Sequence, residues 1–128
     1  MIEISKSFLE SLWNEAAKSP RLRMNWDMRN SSADTSQRML NALLPGTQVP
    51  IHRHEETDES VICLCGKLEE IFYEECSSCD CGFKEIARYT LCPSEGKYGM
   101  QIPAGMWHSI YVIEPSVIFE AKDGVYVP

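Results

Sequence analysis

Residues 46–66 read GTQVPIHRHEETDESVICLCG, and this stretch decides the fold prediction. Its two histidines, His52 and His54, are separated by one residue, so both imidazoles project from the same face of an extended strand. The polar residues 55–58 suit a turn, which lets Glu59 begin a new strand folded back beside the histidines. The stretch therefore predicts two neighbouring antiparallel strands that aim two imidazoles and one carboxylate at one point.

The third histidine of the chain lies in the segment GMQIPAGMWHSIYVI, residues 99–113. Pro103 and Gly105 favour a turn, and His108 follows at the start of an apolar run rich in strand-forming residues. Three imidazoles and one carboxylate form a nitrogen and oxygen ligand set that suits Fe, Mn, Ni, Co or Zn, and affinity order alone does not choose among these metals. We predict a site for one divalent transition metal ion with four ligands: His52, His54, Glu59 and His108.

These residues resemble the two sequence motifs of the cupin superfamily. Residues 46–66 are similar to the first motif, which is glycine, five residues, His-x-His, four residues, glutamate, six residues and glycine. Pro103, Gly105 and His108 are similar to the core of the second motif, Pro-x-Gly-x-x-His. Lys97 and Val112 stand where that motif usually has a glycine and an asparagine. The resemblance implies a jelly-roll β-barrel with a metal site.

A longer resemblance is to the WbuC group of small cupin metalloproteins. It is carried by RLRMNWD at residues 21–27, by QRMLNALLPGTQVPIHRH at 37–54 and by FEAKDGVYVP at 119–128. That group is named as metal-binding and is associated with surface polysaccharide genes, without a settled reaction. The resemblance thus implies a bound metal and a sugar-related ligand. Because cupins commonly pair through their barrel faces, it also implies a homodimer.

The spacing of apolar residues predicts a mainly β, single-domain protein with an N-terminal helix. Helical spacing over residues 7–18, a capping-box pattern at Ser7 and Glu10, and Pro20 beyond the end define that helix. We expect residues 1–35 to form the helix and a lead-in segment, and residues 36–128 to form the barrel. Short apolar runs predict separate strands in the ranges 37–44, 61–65, 67–74, 83–91, 99–102, 107–113 and 116–121.

Composition excludes several classes of partner. The net charge of −7 argues against nucleic acid, which requires a clustered positive field. No segment reaches the roughly 20 apolar residues of a membrane-spanning helix. The N-terminal segment, which carries Glu3, lacks the apolar core of a secretory signal. We therefore expect a cytoplasmic protein without a membrane partner.

The six cysteines do not indicate an extracellular disulfide framework, because that interpretation requires a secretory signal. Cys63 and Cys65 alternate on a predicted strand and suit burial as small apolar residues. Three further cysteines lie in the polar segment ECSSCDCGF: Cys76, Cys79 and Cys81. That segment suits a reduced loop, an incidental disulfide, or a zinc site if Cys92 came near as a fourth ligand.

A small anion is the ligand that a basic pocket in an acidic protein would favour. Gln37, Arg38 and Asn41 precede the histidine stretch in a strand-like segment, and one of them could reach the pocket. We prefer Arg38, whose guanidinium can form charge-assisted hydrogen bonds with an anionic substrate. A structural ion pair is the alternative role for this side chain.

The sequence favours a metal-binding cupin that binds or transforms a small polar or anionic metabolite. The preferred form is an enzyme of the dioxygenase, isomerase or hydrolase type, with no catalytic residue assigned beyond the metal ligands. A second interpretation is a non-catalytic binding or regulatory module whose metal anchors the ligand. A third is a structural barrel that binds no metal and dimerises through its helix.

Overall fold

The computed structural model describes residues 1–125, which form one α-helix, a 3-10 turn and six strands. All strand pairs are antiparallel, in the order β1–β2–β6–β3–β4, and β5 pairs with β3. The mainly β fold with an N-terminal helix confirms the prediction. The elements are α1 Lys6–Lys18, β1 Arg23–Asp27, β2 Ser36–Leu43, β3 Glu59–Glu75, β4 Phe83–Leu91, β5 Gly99–Ile102 and β6 Trp107–Asp123.

The sheet folds over on itself because its two longest strands bend together. β3 and β6 each have 17 residues, and their pairing shifts register between Cys63 and Leu68. At the bend, Gly66 has a φ of +91° and lies directly against the backbone of Pro115. The first half of β3 pairs with β5 and the end of β6, whereas its second half pairs with β4 and the start of β6.

The prediction of separate strands on either side of residue 66 and of residue 115 was wrong. Gly66 does not end a strand, because it adopts the left-handed conformation that lets β3 continue through the bend. Pro115 likewise lies within β6. The strands predicted at 83–91 and 99–102 match β4 and β5.

The two halves of the folded sheet enclose the main core. Val61 and Ile118 from one half pack with Phe72 and Val112 from the other, all at most 4% exposed. Successive strand residues point to opposite faces, so the remaining face of β2 is covered by α1. A second cluster forms there around Leu12, Leu40, Ala42 and Val117.

The helix begins one residue earlier than predicted and has a different cap. Ser5 is the N-cap, and its hydroxyl accepts a hydrogen bond from the backbone N–H of Phe8 at 3.2 Å. The predicted capping box at Ser7 and Glu10 is therefore wrong, because Ser7 is already inside the helix. Trp13 donates its indole N–H to the carbonyl of Ser116 at 3.0 Å, which ties α1 to the bend in β6.

The sequence did not predict strand β1, which lies in the lead-in part of residues 1–35. β1 pairs with β2 from Arg23↔Leu43 to Asp27↔Met39, so the sheet extends across the expected boundary at residues 35 and 36. The part of the predicted barrel that covers residues 126–128, including the end of the FEAKDGVYVP segment, lies outside the described residues.

We predict that Gly66→Ala destabilises the fold by about 2 to 5 kcal/mol. The added Cβ would overlap the Pro115 carbonyl, and alanine would be strained at the positive φ of this position. The matched control is Gly82→Ala, where φ is +83° but an added Cβ would meet no neighbouring atom within 4 Å. That variant should lose only about 1 to 2 kcal/mol from backbone strain. Urea unfolding measures both values, and equal losses would contradict the close contact at the bend.

Candidate metal centre

The histidine segment is held against the start of β6 by backbone hydrogen bonds. His52 and His108 exchange two of them, with N···O distances of 2.9 and 2.8 Å. The N–H of Gly105 also donates to the carbonyl of His54 at 2.7 Å. The predicted strand pairing of this segment with β3 was wrong, because Glu59 at the start of β3 pairs instead with Ile102 and Lys122.

Three imidazoles come together at the end of the folded sheet. His52, His54 and His108 each offer one ring nitrogen, and these atoms lie within 4.8 Å of one another. The Nδ1–H of His52 donates to the carbonyl of Pro50, and that of His108 to the carbonyl of Met106, each at 2.9 Å. Because Nδ1 carries the proton in both rings, each Nε2 is left with a lone pair that can bind a cation.

Glu59 completes the cluster from the first residue of β3. It is 3% exposed, and its Oε2 lies 2.8 Å from Nε2 of His54 and 3.6 Å from Nε2 of His108. Oε2 has no well-aligned hydrogen bond to either ring, although both rings lie close enough to act on the Glu59 carboxylate. Such close convergence of nitrogen and oxygen atoms is the arrangement expected of ligands directed at a common cation, and the donor set fits a transition metal ion.

The electrostatics of the cluster favour a negative carboxylate at Glu59. Burial alone would raise the pKa of Glu59, but nearby His108, His54 and Glu120 hold this pKa well below its usual range. Burial lowers the pKa of His52, and His108 lowers it further. Burial also lowers the pKa of His108, but Glu59 outweighs this effect, so the net shift is upward. A bound cation would attract the Glu59 carboxylate more strongly than His108 does.

The family model for a domain of unknown function, DUF6016, matches residues 4–80, which is more than half of the chain. The chain belongs to the DUF6016 family. No curated protein sequence matches it.

Solved structures with the same fold include several cupin proteins. CapF, a capsular polysaccharide assembling protein from Staphylococcus aureus, is similar with a TM-score of 0.65 and 20% identity, covering 86% of this chain and 30% of CapF. KdgF from Halomonas sp. has a TM-score of 0.60 and 14% identity, covering 83% of this chain and 82% of KdgF. Oxalate oxidase in complex with the substrate analogue glycolate has a TM-score of 0.63 and 15% identity, covering 84% of this chain and 54% of oxalate oxidase.

These comparisons show that the DUF6016 chain has the cupin fold, and its histidine-rich site fits a metal-binding cupin. The chain spans under a third of CapF and about half of oxalate oxidase. No helix within residues 1–125 has the length and apolar character needed to cross a bilayer.

Sequence reasoning missed two carboxyl groups behind the site of this DUF6016 protein. Glu120 on β6 accepts a hydrogen bond from Asn41 at 3.2 Å, and burial together with neighbouring Glu59 raises its pKa well above the usual range. This shift favours the protonated form of Glu120, which can donate a hydrogen bond to Glu59. Glu70, on the second half of β3, is 1% exposed. Its alternation with the apolar Leu68 and Phe72 is the sequence signal that could have revealed it.

The structure does not bring Arg38 to the histidine cluster. Arg38 has the same strand parity as Leu40 and Ala42, whose side chains pack in the helix-facing cluster. Its guanidinium forms an ion pair with Asp34 at 3.3 Å and donates to the carbonyl of Ser36 at 2.7 Å. The role of Arg38 in substrate binding stays a prediction.

A polar cavity of about 390 Å³ lies along the same edge of the sheet as Glu59. Among its lining residues are Gln37 and Lys122, which face each other in the pairing of β2 with β6, and Lys122 is also opposite Glu59 on β3. Burial lowers the pKa of Lys122, whereas Glu59 and Glu120 raise it. The structure thus places an amine, rather than a guanidinium, beside the candidate ligands.

The cysteine segment forms the tip of the hairpin between β3 and β4. Cys76 and Cys79 are joined by a disulfide, and Cys81 is an exposed thiol. Cys92 is buried at the opposite end of this hairpin, beyond the pair formed by Leu91 and Leu68. It therefore cannot supply the fourth ligand of a zinc site at the tip.

We predict that Glu120→Gln changes the free energy of unfolding of the metal-free protein by less than about 1 kcal/mol, because an amide can still accept from Asn41 and donate to Glu59. Glu120→Ala should cost about 1 to 3 kcal/mol, since both partners lose their hydrogen bonds. Urea unfolding at pH 7 compares the two. Equal losses would show that Glu120 does not donate a proton to Glu59.

Proposed function

We propose that this DUF6016 protein is a metal-binding cupin that binds or transforms a small polar or anionic metabolite. The observation that carries the proposal is the convergence of three imidazole nitrogens within 4.8 Å, together with a buried carboxylate oxygen that has no hydrogen-bond partner. In this proposal the ligands of one divalent transition metal ion are His52, His54, Glu59 and His108.

The four ligands would leave two positions of a six-coordinate ion open to a small molecule. A bound ion of this kind polarises a substrate oxygen or lowers the pKa of a coordinated water. The chain's own residues prepare the site for this chemistry. Carbonyl groups of Pro50 and Met106 orient two of the imidazoles, and Glu120 supports Glu59 from behind.

The proposed ligand is a small anion, with a sugar-derived acid as the preferred class. Lys122 and the amide of Gln37 line a polar cavity beside Glu59 and can hold a carboxylate or hydroxyl group. Two likenesses support a connection with sugars. CapF is a capsular polysaccharide assembling protein, and the sequence resembles the WbuC group.

A non-catalytic binding module is the second proposal, and one observation favours it. Ser109 follows His108 directly, but its hydroxyl is hydrogen-bonded to the hydroxyl of Tyr73 at 2.8 Å. Within residues 1–125, no hydroxyl or thiol is hydrogen-bonded to a histidine side chain, so no nucleophile and base form a pair. Metal-dependent binding of a sugar acid without turnover would support this form over the dioxygenase, isomerase or hydrolase forms.

We predict that protein purified without an affinity tag or chelator binds about one equivalent of a transition metal, measured by elemental analysis. His54→Ala should lose most of that metal while retaining the far-UV circular dichroism of the folded chain. The matched control is Arg53→Ala, because Arg53 lies in the same segment but stacks on Trp107 at 4.4 Å. No metal in the unmodified protein, even after reconstitution with Zn²⁺ or Fe²⁺, would refute the proposed function.

We also propose a homodimer formed by the outer face of β3. Ile62 and Leu64 are 44% and 38% exposed there, opposite the inward-facing Val61 and Cys63. A dimer would remove this apolar surface from water.

Light scattering should give twice the mass of 14.6 kDa, and Ile62→Glu should reduce it to the monomer value by placing a charge in the interface. Ile86→Glu is the control, since Ile86 is 48% exposed on β4, which pairs with the second half of β3 and not with the part that carries Ile62. A monomeric mass for the unmodified protein would contradict the proposed interface.

A further inference from the structure

Glu70 is a carboxylic acid placed in the hydrophobic core. It is 1% exposed and lies between Leu68 and Phe72, which are 0% and 4% exposed and belong to the main core cluster. Its Oε2 is buried and has no hydrogen-bond partner. This oxygen therefore lacks the hydrogen bond that normally accompanies a buried polar atom.

Such a group is costly for the stability of the fold. Burying a polar group without a hydrogen bond is unfavourable, and burying a charged one is more so. A leucine of similar size would satisfy the same core position without this cost. An unpaired acid at such a position is more readily explained by a role in function than by a role in folding.

Glu70 lies on the part of β3 that pairs with the start of β6, where His108 belongs to the candidate metal centre. Glu70 and Phe72 point to the same face of β3, and Phe72 is paired with His108, with a distance of 6.2 Å between their ring centroids. His108 and Glu59 both act on Glu70 electrostatically, and no hydrogen bond joins it to either. Glu70 is thus one strand step deeper than the ligands.

Four titratable groups interact with Glu70 electrostatically. His108 and Glu120 belong to β6, and Glu59 and Cys63 to the same strand as Glu70. On β4 the partner of Glu70 is Tyr89, which is 54% exposed and packs edge-on against Phe72. None of the four is a lysine or an arginine, so within residues 1–125 no permanent positive charge neutralises Glu70 in the absence of metal.

We propose that Glu70 is the acid–base residue of this site, which exchanges a proton with a small molecule held at the histidine cluster. This inference rests on the proposed function. In the acid form, the Glu70 carboxyl gives its proton to a developing oxyanion of the ligand and becomes a carboxylate. In the reverse direction, the carboxylate takes a proton from a C–H or O–H group of the ligand, and no electrons are transferred.

The protonation state of Glu70 suits this role. Burial raises the pKa of Glu70 to about 8, an effect that His108 reduces and Glu59 increases. The carboxyl group is therefore mostly protonated at pH 7 in the metal-free chain. A divalent cation nearby would favour the carboxylate and release the proton.

The first test counts the protons released when Zn²⁺ alone binds at pH 7, by calorimetry in buffers of different ionisation enthalpy. The unmodified protein should release close to one proton per ion more than Glu70→Gln, because the amide has no proton to lose. The matched control is Glu69→Gln, one residue away on the outer face, where Glu69 pairs with Arg88 at 3.1 Å. This control should release as many protons as the unmodified protein.

Each outcome decides between the two proposals. Equal proton release from the unmodified protein and Glu70→Gln, with Zn²⁺ bound to both, would overturn the role of Glu70 and leave the metal-binding function standing. If neither protein binds Zn²⁺, both proposals fail together. Infrared difference spectroscopy gives a second readout: Zn²⁺ should remove more protonated-carboxyl absorption from the unmodified protein than from Glu70→Gln, because Glu120 is present in both. Equal losses would overturn the proposal.

A second test uses stability in the absence of metal. The folded pKa of about 8 is above the unfolded value of 4.5, so the folded chain binds more protons between these values and loses stability as the pH rises through this window. Glu70→Leu should remove that part of the slope and be at least as stable as the unmodified chain at pH 8. Lower stability of Glu70→Leu at every pH from 5 to 9 would show a structural role instead.

Discussion

The contact between Gly66 and the backbone of Pro115 and Ser116 is the constraint on which this fold depends. Only a residue without a Cβ allows the two long strands to approach so closely while they turn. The hydroxyl of Ser116 accepts from the N–H of Lys67 at 3.0 Å, and the carbonyl of Ser116 accepts from the indole of Trp13. The bend, the helix and the folded sheet therefore share one small set of interactions.

The bend also determines which side chains meet inside the protein. One half of the folded sheet carries Glu59 and Glu120, and the other carries His108 and Glu70. Neither half alone has the complete set of candidate ligands. Because the halves face each other across an apolar core, the polar groups at their open end are removed from water together, and each one shifts the protonation of the next.

The sequence predicted the fold class and the residues that cluster, but not the residues behind them. The spacing of His52, His54 and Glu59 is recognisable in the sequence because all three lie before the bend at Gly66. In β3 the inward residues are Glu59, Val61 and Cys63 before the register shifts, and Leu68, Glu70 and Phe72 after them. Counting by two from Glu59 therefore places residue 70 on the wrong face. No local sequence pattern specifies how many residues a bulge adds.

The same limitation explains Arg38. A guanidinium was the expected partner of an anion, but strand parity places it on the helix-facing side, where Asp34 neutralises it. The inward face of β2 instead presents the neutral amides of Gln37 and Asn41, and the nearby positive charge comes from Lys122 at the far end of the chain. Gln37 and Lys122 share one edge of the sheet although they are far apart in the sequence.

The backbone hydrogen bonds between His52 and His108 separate ligand placement from loop length. Two candidate ligands are joined to each other directly, and the carbonyl of His54 accepts from Gly105, so the spacing of the three imidazoles does not depend on the chain that leads from them to β3. Residues 55–58 are anchored separately, because Asp58 accepts a hydrogen bond from the N–H of Ala104 at 2.8 Å. A change in the number of residues in this connection would therefore leave the three imidazoles in place.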